Sequence, residues 1–338
     1  MDARDVAYGY AIGYNDGKSA SGESEEQDEY LEKWLNLPEP DSNQIIFLTK
    51  TFTDENYTNT IIVIPSLSNN ETVYPIGFAV DWGDGDREMF PSNTVKVSHV
   101  YSHKGEYVVK FTNACGVNSF ASAPTGTLMI KYGDNMFPTG RSLQGYHSLQ
   151  YVKLPAQAAI NCDYFFMNCK NLKRIEYSGI ISALYKNMFL NCYELDSSNL
   201  KFGDITEIPE ACFGNCYSLT AISFKNCTVV NKNAFQGCIR LKTVDLPNCT
   251  KIADYNAFLN CYNLQSIDMP NCTAVGDRSF ENSAVTTVNM PSCTTVGRQS
   301  FLNCWRLTKT VFANQCTFGY QCFANCFNLY PRPDGSTN

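Results

Sequence analysis

A phenylalanine returns at a nearly constant interval through more than half of the chain, at Phe166, Phe189, Phe213, Phe235, Phe258, Phe280, Phe301 and Phe323. The successive gaps are 23, 24, 22, 23, 22, 21 and 22 residues. Leu143 opens a degenerate copy 23 residues further upstream, through Tyr146, Leu149, Val152, Leu154 and Pro155. A fixed period in this range marks a solenoid. One such unit cannot bury its own apolar face, so stability has to come from stacking on its neighbours.

Within each copy the apolar residues define a coil. In Leu241-Lys-Thr-Val244-Asp-Leu246-Pro247, Val244 and Leu246 alternate inward while Thr243 and Asp245 point out, the period of a strand. Pro247 cannot donate to a ladder and closes the strand. The Phe then anchors the return side through a helical or 3-10 turn. An Asn follows two residues later at Asn168, Asn191, Asn215, Asn260, Asn282, Asn303 and Asn325, with Gly237 in its place once. Both residue types suit a turn, and Asn also suits a side-chain ladder.

Sixteen cysteines suggest a disulfide framework until their spacing is read. Cys216, Cys227, Cys238, Cys249, Cys261, Cys272, Cys293, Cys304, Cys316 and Cys326 fall at half-repeat intervals, with Ser283 filling the one gap. Each coil thus contributes one Cys to each of two columns, as small apolar side chains stacked in an interior. Adjacent coils lie ~4.8 Å apart, but parallel inward side chains point the wrong way for a bridge. The expectation is reduced, buried thiols, which fits folding in a reducing cytoplasm. Cys212 and Cys216, and Cys322 and Cys326, have loose metal-like spacing. The first Cys of each pair is Ala or Ser in sister repeats, so packing explains them better than zinc does.

A net charge of −7 with no basic run argues against nucleic acid. No segment approaches the length of a membrane span, and the start Met1-Asp-Ala-Arg-Asp-Val shows no cationic region before an apolar run. The three histidines (His99, His103, His147) lie outside the regular repeats, and no catalytic triad, metalloprotease motif or phosphate loop stands out. The expectation is a protein that is not an enzyme and needs neither cofactor nor metal.

Three domains are expected: an N-terminal attachment segment with a short helix at 1–43, a β-sandwich at 44–133, and the solenoid at 134–338. Ser24-Glu-Glu-Gln27 is a capping-box pattern ahead of Tyr30, Leu31, Trp34 and Leu35, which share one helical face. That face packs either on the protein's own next domain or on a larger assembly. In the second case Tyr10, Tyr14 and Trp34 are the partner-attachment residues. Pro38 and Pro40 end the helix. Strands are expected at 45–52, 60–64, 78–82, 95–99, 106–112 and 127–132. Val80-Asp-Trp-Gly-Asp-Gly85, followed by His99-Val-Tyr101 and Gly105-Glu-Tyr107, resembles the signature of PKD domains and implies an immunoglobulin-like sandwich. The family's usual Phe before Gly is absent, and Trp82 stands there instead. Asp81, Asp84 and Asp86 are weighed as oxygen ligands for Ca²⁺, but tight-turn chemistry accounts for them better.

The repeat consensus F-x-N-C-x-x-L-x-x-I-x-L-P-x-C-T-x-V resembles the BspA-like, or Treponema-type, leucine-rich repeat over about residues 143–329. The fold class expected is therefore mainly β, a PKD-like β-sandwich followed by a leucine-rich-repeat solenoid with short helical or 3-10 turns. The resemblance implies a surface adhesin or interaction scaffold of bacteria, protists or bacteriophages. With no visible export signal and reduced cysteines, the expectation is a phage virion component, folded in the host cytoplasm. The alternative is a bacterial cell-surface adhesin. The partner is expected to be a protein in a larger assembly, a host-surface glycan, or both.

Two surfaces are available to such a partner. One is the polar strand face, with columns Tyr151, Arg174, Ala221, Thr243, Ser266, Thr287 and Lys153, Glu176, Ser223, Asp245, Asp268, Asn289. The other is the position after the first Cys, which holds Tyr193, Tyr217, Tyr262, Trp305 and Phe327, with Ile239 and Ala284 between them. This aromatic ridge either stacks on a ligand or shields the coil edges.

Overall fold

In the computed structural model of the protein, the residues described are 29–51, 57–63, 77–91, 94, 96–113, 119–122, 126–138, 143–158, 160–253 and 255–336. They belong to two compact units. One comprises Gln27–Ile181 with Asp196–Lys201, and the other includes Ser182–Leu195 and Phe202–Asn338.

The first unit begins with helix α1 (Glu29–Asn36) and continues through β1 (Gln44–Lys50), β2 (Tyr57–Val63), β3 (Phe78–Asp81), β4 (Arg87–Phe90), β5 (Lys96–Tyr101), β6 (Glu106–Asn113), β7 (Ser119–Ser122), β8 (Thr127–Tyr132), β9 (Phe137–Pro138), β10 (Tyr151–Leu154) and β11 (Arg174–Tyr177). These form a four-stranded sheet, β5-β2-β7-β9, and a seven-stranded sheet, β11-β10-β8-β1-β6-β3-β4. In the larger sheet, β1 pairs antiparallel with β6 and β8, whereas β10 pairs parallel with β8 and with β11. The first repeat strands are therefore added to the edge of the preceding sheet. All six residues of β8 are buried, Thr127 and Lys131 among them, so the strand is covered on both faces.

The six strands expected here are found, and β4, β7 and β9 were missed. In β4, Arg-Glu-Met-Phe is an exposed edge strand, so its side chains carry no burial period to read.

One turn in this unit, at Trp82 and Gly83, rests on particular chemistry. Gly83 has φ of 83°, and a Cβ there would sit 2.7 Å from the Val108 carbonyl oxygen, so only glycine fits. The Trp82 indole is fully buried and stacks on His99 at 4.9 Å, and the Tyr101 hydroxyl donates to the Trp82 carbonyl at 2.8 Å.

The second unit is repeat throughout. A six-stranded parallel sheet runs β12 (Glu207–Ile208), β14 (Val229–Val230), β16 (Lys251–Ile252), β18 (Ala274–Val275), β20 (Thr295–Val296), β22 (Thr317–Phe318). On another side of the coil, β13 (Ala221–Ser223) pairs with β15 (Thr243–Asp245), and β17 (Ser266–Asp268), β19 (Thr287–Met290) and β21 (Lys309–Phe312) pair in that order. The fold is mainly β, a β-solenoid of about eight turns, as a leucine-rich-repeat solenoid requires. Within this unit the phenylalanines from Phe189 to Phe323 form one stack, with successive centroids 5.1–5.5 Å apart. Each ring is fully buried, and each such burial is worth ~1.5–3 kcal/mol before conformational entropy is charged.

The return side is built from turns rather than strand. In each coil the residues two before and two after the phenylalanine have positive φ, for example Asn256 (61°) and Asn260 (62°) around Phe258, where Tyr255 (72°) joins them, and Arg278 (55°) and Asn282 (60°) around Phe280. Asn tolerates this conformation better than other side chains. Its amide then bonds the next coil. Asn282 Nδ2 donates to Asn260 Oδ1 at 2.7 Å, Asn303 to Asn282 at 2.8 Å and Asn325 to Asn303 at 2.7 Å. Gly237 interrupts the ladder, and a Cβ there would lie 2.2 Å from Asn215 Oδ1.

Candidate interaction surface

None of the fifteen described cysteines is in a disulfide. In the first column the thiol of Cys216 donates to the Phe189 carbonyl at 3.2 Å, Cys238 to Phe213 at 3.0 Å, Cys261 to Phe235 at 3.2 Å, Cys304 to Phe280 at 3.1 Å and Cys326 to Phe301 at 3.0 Å. Each thiol thus satisfies the carbonyl of a phenylalanine one coil back. In the second column, Cys227, Cys249, Cys272 and Cys293 donate to the carbonyl two residues ahead at 3.3–3.5 Å. In the first column each of these carbonyls also accepts a backbone N–H, as Phe213 does from Cys216 at 3.1 Å, so alanine would lose the thiol bond and its packing without leaving the acceptor unmet. Burial pushes the Cys238 and Cys293 thiols up to about 12 and Cys227 to about 11, so these groups stay protonated at neutral pH. The columns are packing and hydrogen-bonding devices.

Among the described residues, one group of potential metal ligands converges, Asp84, Asp86 and His99. Of the three carboxylates weighed for calcium, Asp81 instead accepts from the Gly83 N–H at 3.1 Å. Asp84 bonds His99 Nε2 at 2.6 Å and the Asp86 N–H at 3.2 Å. Burial would raise the Asp84 carboxyl, but its bonds to His99 and Asp86 bring it below the ordinary range. These groups hold their own turn together.

Trp34 is not available to an outside partner. It is 2% exposed, stacks on Tyr151 at 5.6 Å and donates its indole N–H to Glu176 Oε1 at 2.9 Å. Lys131, itself buried, lies 4.8 Å over the ring and donates to the Leu37 carbonyl and to Glu39. Glu39 also pairs with Lys153. Trp34, the partly buried Leu31 and, after the helix ends, Leu37 pack α1 on the core of the first unit, and Lys33 donates to Glu106 at 2.8 Å, while Leu35 is 71% exposed and leaves the expected apolar face. Tyr10 and Tyr14 lie outside the described residues.

The docked helix also corrects the strand-face reading. Tyr151 was expected to point outward, yet it is 3% exposed beneath Trp34. Glu176 is engaged by the same indole, and Arg174 Nε lies 3.5 Å from Glu176 Oε1. In the second unit the expected face is intact. Ala221, Ser223, Thr243, Ser266, Asp268, Thr287 and Asn289 are exposed. Neighbouring coils are tied by Ser223 Oγ to Asp245 at 2.8 Å and Asn289 Nδ2 to Asp268 at 2.9 Å. Hydrogen bonds to Lys225 and Ser223 hold the Asp245 carboxyl below its ordinary range.

The aromatic ridge lies wholly within the second unit. Tyr193 and Tyr217 are half-buried and stack at 4.6 Å with planes 5° apart. Tyr262 is half-buried, while Trp305 and Phe327 are 37% and 44% exposed. The Arg306 guanidinium lies 4.5 Å over the Trp305 ring. Part of the ridge shields itself, and its far end presents aromatic surface to solvent.

The BspA type leucine rich repeat region matches residues 140–264 and 206–330, in six copies. The chain belongs to that family. Its solenoid is also similar to a leucine rich cell surface protein of Faecalibacterium prausnitzii at 19% identity, covering 62% of this chain and 76% of that one, with a TM-score of 0.41. A leucine-rich repeat protein of Bacteroides ovatus is 16% identical, with coverages of 65% and 78% and a TM-score of 0.32. The leucine rich repeat protein of T. pallidum is 14% identical, with coverages of 63% and 84% and a TM-score of 0.31. These likenesses are too distant to carry a functional argument. No curated protein matches the chain. Among the described residues, no helix is long and apolar enough to cross a membrane.

Proposed function

We propose that this BspA-type protein is a non-enzymatic module of a bacterial cell surface that binds a protein partner through its solenoid. The observation that carries the reading is the aromatic ridge, which ends in Trp305 and Phe327, 37% and 44% exposed. Large aromatic side chains left in water on a rigid scaffold are the residues that dominate protein recognition. Tyr193, Tyr217, Tyr262, Trp305 and Phe327 are the ligand-facing set in this proposal. A cell surface is favoured over a virion because the family assignment supports it. The reduced cysteines that suggested cytoplasmic folding are accounted for by packing and thiol–carbonyl bonds, so they no longer argue for a compartment. Residues 44–133 are read as a PKD-like module that carries the repeats, supported by the buried Trp82 and its Tyr101 and His99 contacts.

Protease shaving of intact source cells should release peptides of this chain, and their recovery only from lysed cells would refute the surface assignment. The ridge is tested by comparing wild type with Tyr262→Ala and Trp305→Ala on arrays of immobilised host proteins and glycans. The proteins should lose binding with each substitution. Unchanged binding eliminates the ridge, and binding to glycans alone replaces the protein partner with a sugar.

A further inference from the structure

Exposed apolar side chains are not spread evenly. Of the ten large hydrophobic residues exposed among the described residues, Trp305, Val311, Tyr320, Phe327 and Tyr330 fall between positions 305 and 330. Tyr320 is 68% and Tyr330 93% exposed. In the same region a cavity of about 430 Å³ opens between β21 and the segment from Leu329 to Pro333, with Phe312, Phe318 and Cys316 on its walls. Its lining contains Lys309 and no carboxylate, in a chain whose net charge is −7.

One wall of this cavity is a strand edge. β21 is the outermost strand of its sheet, pairing with β19 alone among the described residues. Lys309 donates its N–H back to the Thr286 carbonyl at 3.3 Å. In a parallel pair the alternate residues turn their backbone groups the other way, so Thr310 and Phe312 present N–H and C=O toward the cavity side. An unpaired edge with an apolar trough beside it is the geometry that accepts an added strand.

We infer that this groove is a second docking site, which takes an extended polypeptide segment of a partner protein as a strand beside β21. The segment carries apolar side chains at alternate positions for the trough walled by Phe312, Phe318 and Leu329, and an acidic residue opposite Lys309. The main chain supplies affinity and the trough selects side chains. The site is distinct from the aromatic ridge and does not depend on it.

The probe is a fluorescein-labelled peptide, acetyl-EVTVTV-amide, titrated by anisotropy against the full chain. Wild type should bind it, and the same peptide with two valines replaced by proline should not. Thr310→Pro removes an N–H that faces the groove, not one used in the β19 pairing, so the coil is retained while binding weakens by roughly tenfold or more. Lys309→Glu should weaken this acidic probe and favour a lysine-headed one. Circular dichroism melts of both variants should overlay wild type, and Trp305→Ala should bind the probe as wild type does. Absence of binding by wild type at millimolar peptide overturns the site, as does equal binding by a Thr310→Pro chain that melts normally. Sedimentation should find a monomer. A dimer abolished by Thr310→Pro would overturn the foreign-segment assignment in favour of a second copy of this chain.

Discussion

Replacing Phe258 by Ala tests whether the solenoid is held by its ring stack. Phe258 is fully buried, with Phe235 at 5.1 Å on one side and Phe280 at 5.2 Å on the other. Truncating a buried Phe costs ~3–5 kcal/mol through lost transfer energy and the cavity left behind. Two aromatic stacks go with it, each worth ~0.5–1.5 kcal/mol beyond area. A loss of about 4 kcal/mol or more is expected, a large part of the ~5–15 kcal/mol available to a folded domain. The backbone bond from Phe258 N–H to the Ser279 carbonyl at 2.7 Å is unaffected, so the coil path itself is not broken. Phe258→Leu keeps most of the burial and removes only the stacks, so it should cost about 1–2 kcal/mol. Stability is a sum over neighbouring coils, so the Ala variant should also split urea unfolding into two transitions near the middle of the repeats. Urea melts followed by circular dichroism measure both effects. A loss below about 2 kcal/mol for Ala, or equal losses for Ala and Leu, would refute a core organised by the stack.

The Asn ladder and the thiol columns make separate predictions. Asn282→Ala removes two amide bonds and places a Cβ-bearing residue at φ of 60° without its local hydrogen bonds, so it should cost ~2–4 kcal/mol in urea melts. Asn282→Gly should recover about 1 kcal/mol of that, because glycine pays no left-handed penalty, and equal losses would refute the backbone part of the account. For the Cys227, Cys238 and Cys293 thiols, which burial pushes up to about 11, 12 and 12, the folded state binds protons more tightly than the unfolded one. Their contribution is therefore complete below the ordinary thiol range near ~8.5 and lost as pH rises toward the value of about 12 at Cys238. Stability should fall steadily above about pH 9, and a flat profile there would refute neutral buried thiols. Among the described cysteines, a thiol reagent at neutral pH should modify only the half-exposed Cys162 and Cys316 in the native chain.

The solenoid was legible because its information is one-dimensional. Each coil touches the coils beside it, so a position that matters once matters at every period, and the Phe, Asn and Cys columns could be aligned without coordinates. Even there, spacing stopped short of chemistry. It placed Cys238 in an interior but not its thiol on the Phe213 carbonyl, and it left Asn282 as a turn or a ladder residue when it is both. The strand face was misread at Tyr151 for a different reason. Its cover, Trp34, lies more than a hundred residues away in a segment with no period, so no pattern within the repeat reports the contact.

The sequence by itself determined the period, the fold family, the inward columns and the ridge, because these follow from local alternation repeated along the chain. The tertiary structure alone decided that the first repeat strands extend a preceding sheet through β8 and β10. It also decided that α1 is fastened by Trp34, Lys131 and Glu39, and that β21 faces an apolar groove. Those contacts join residues far apart in the chain, and their energy appears only when folding brings the partners together.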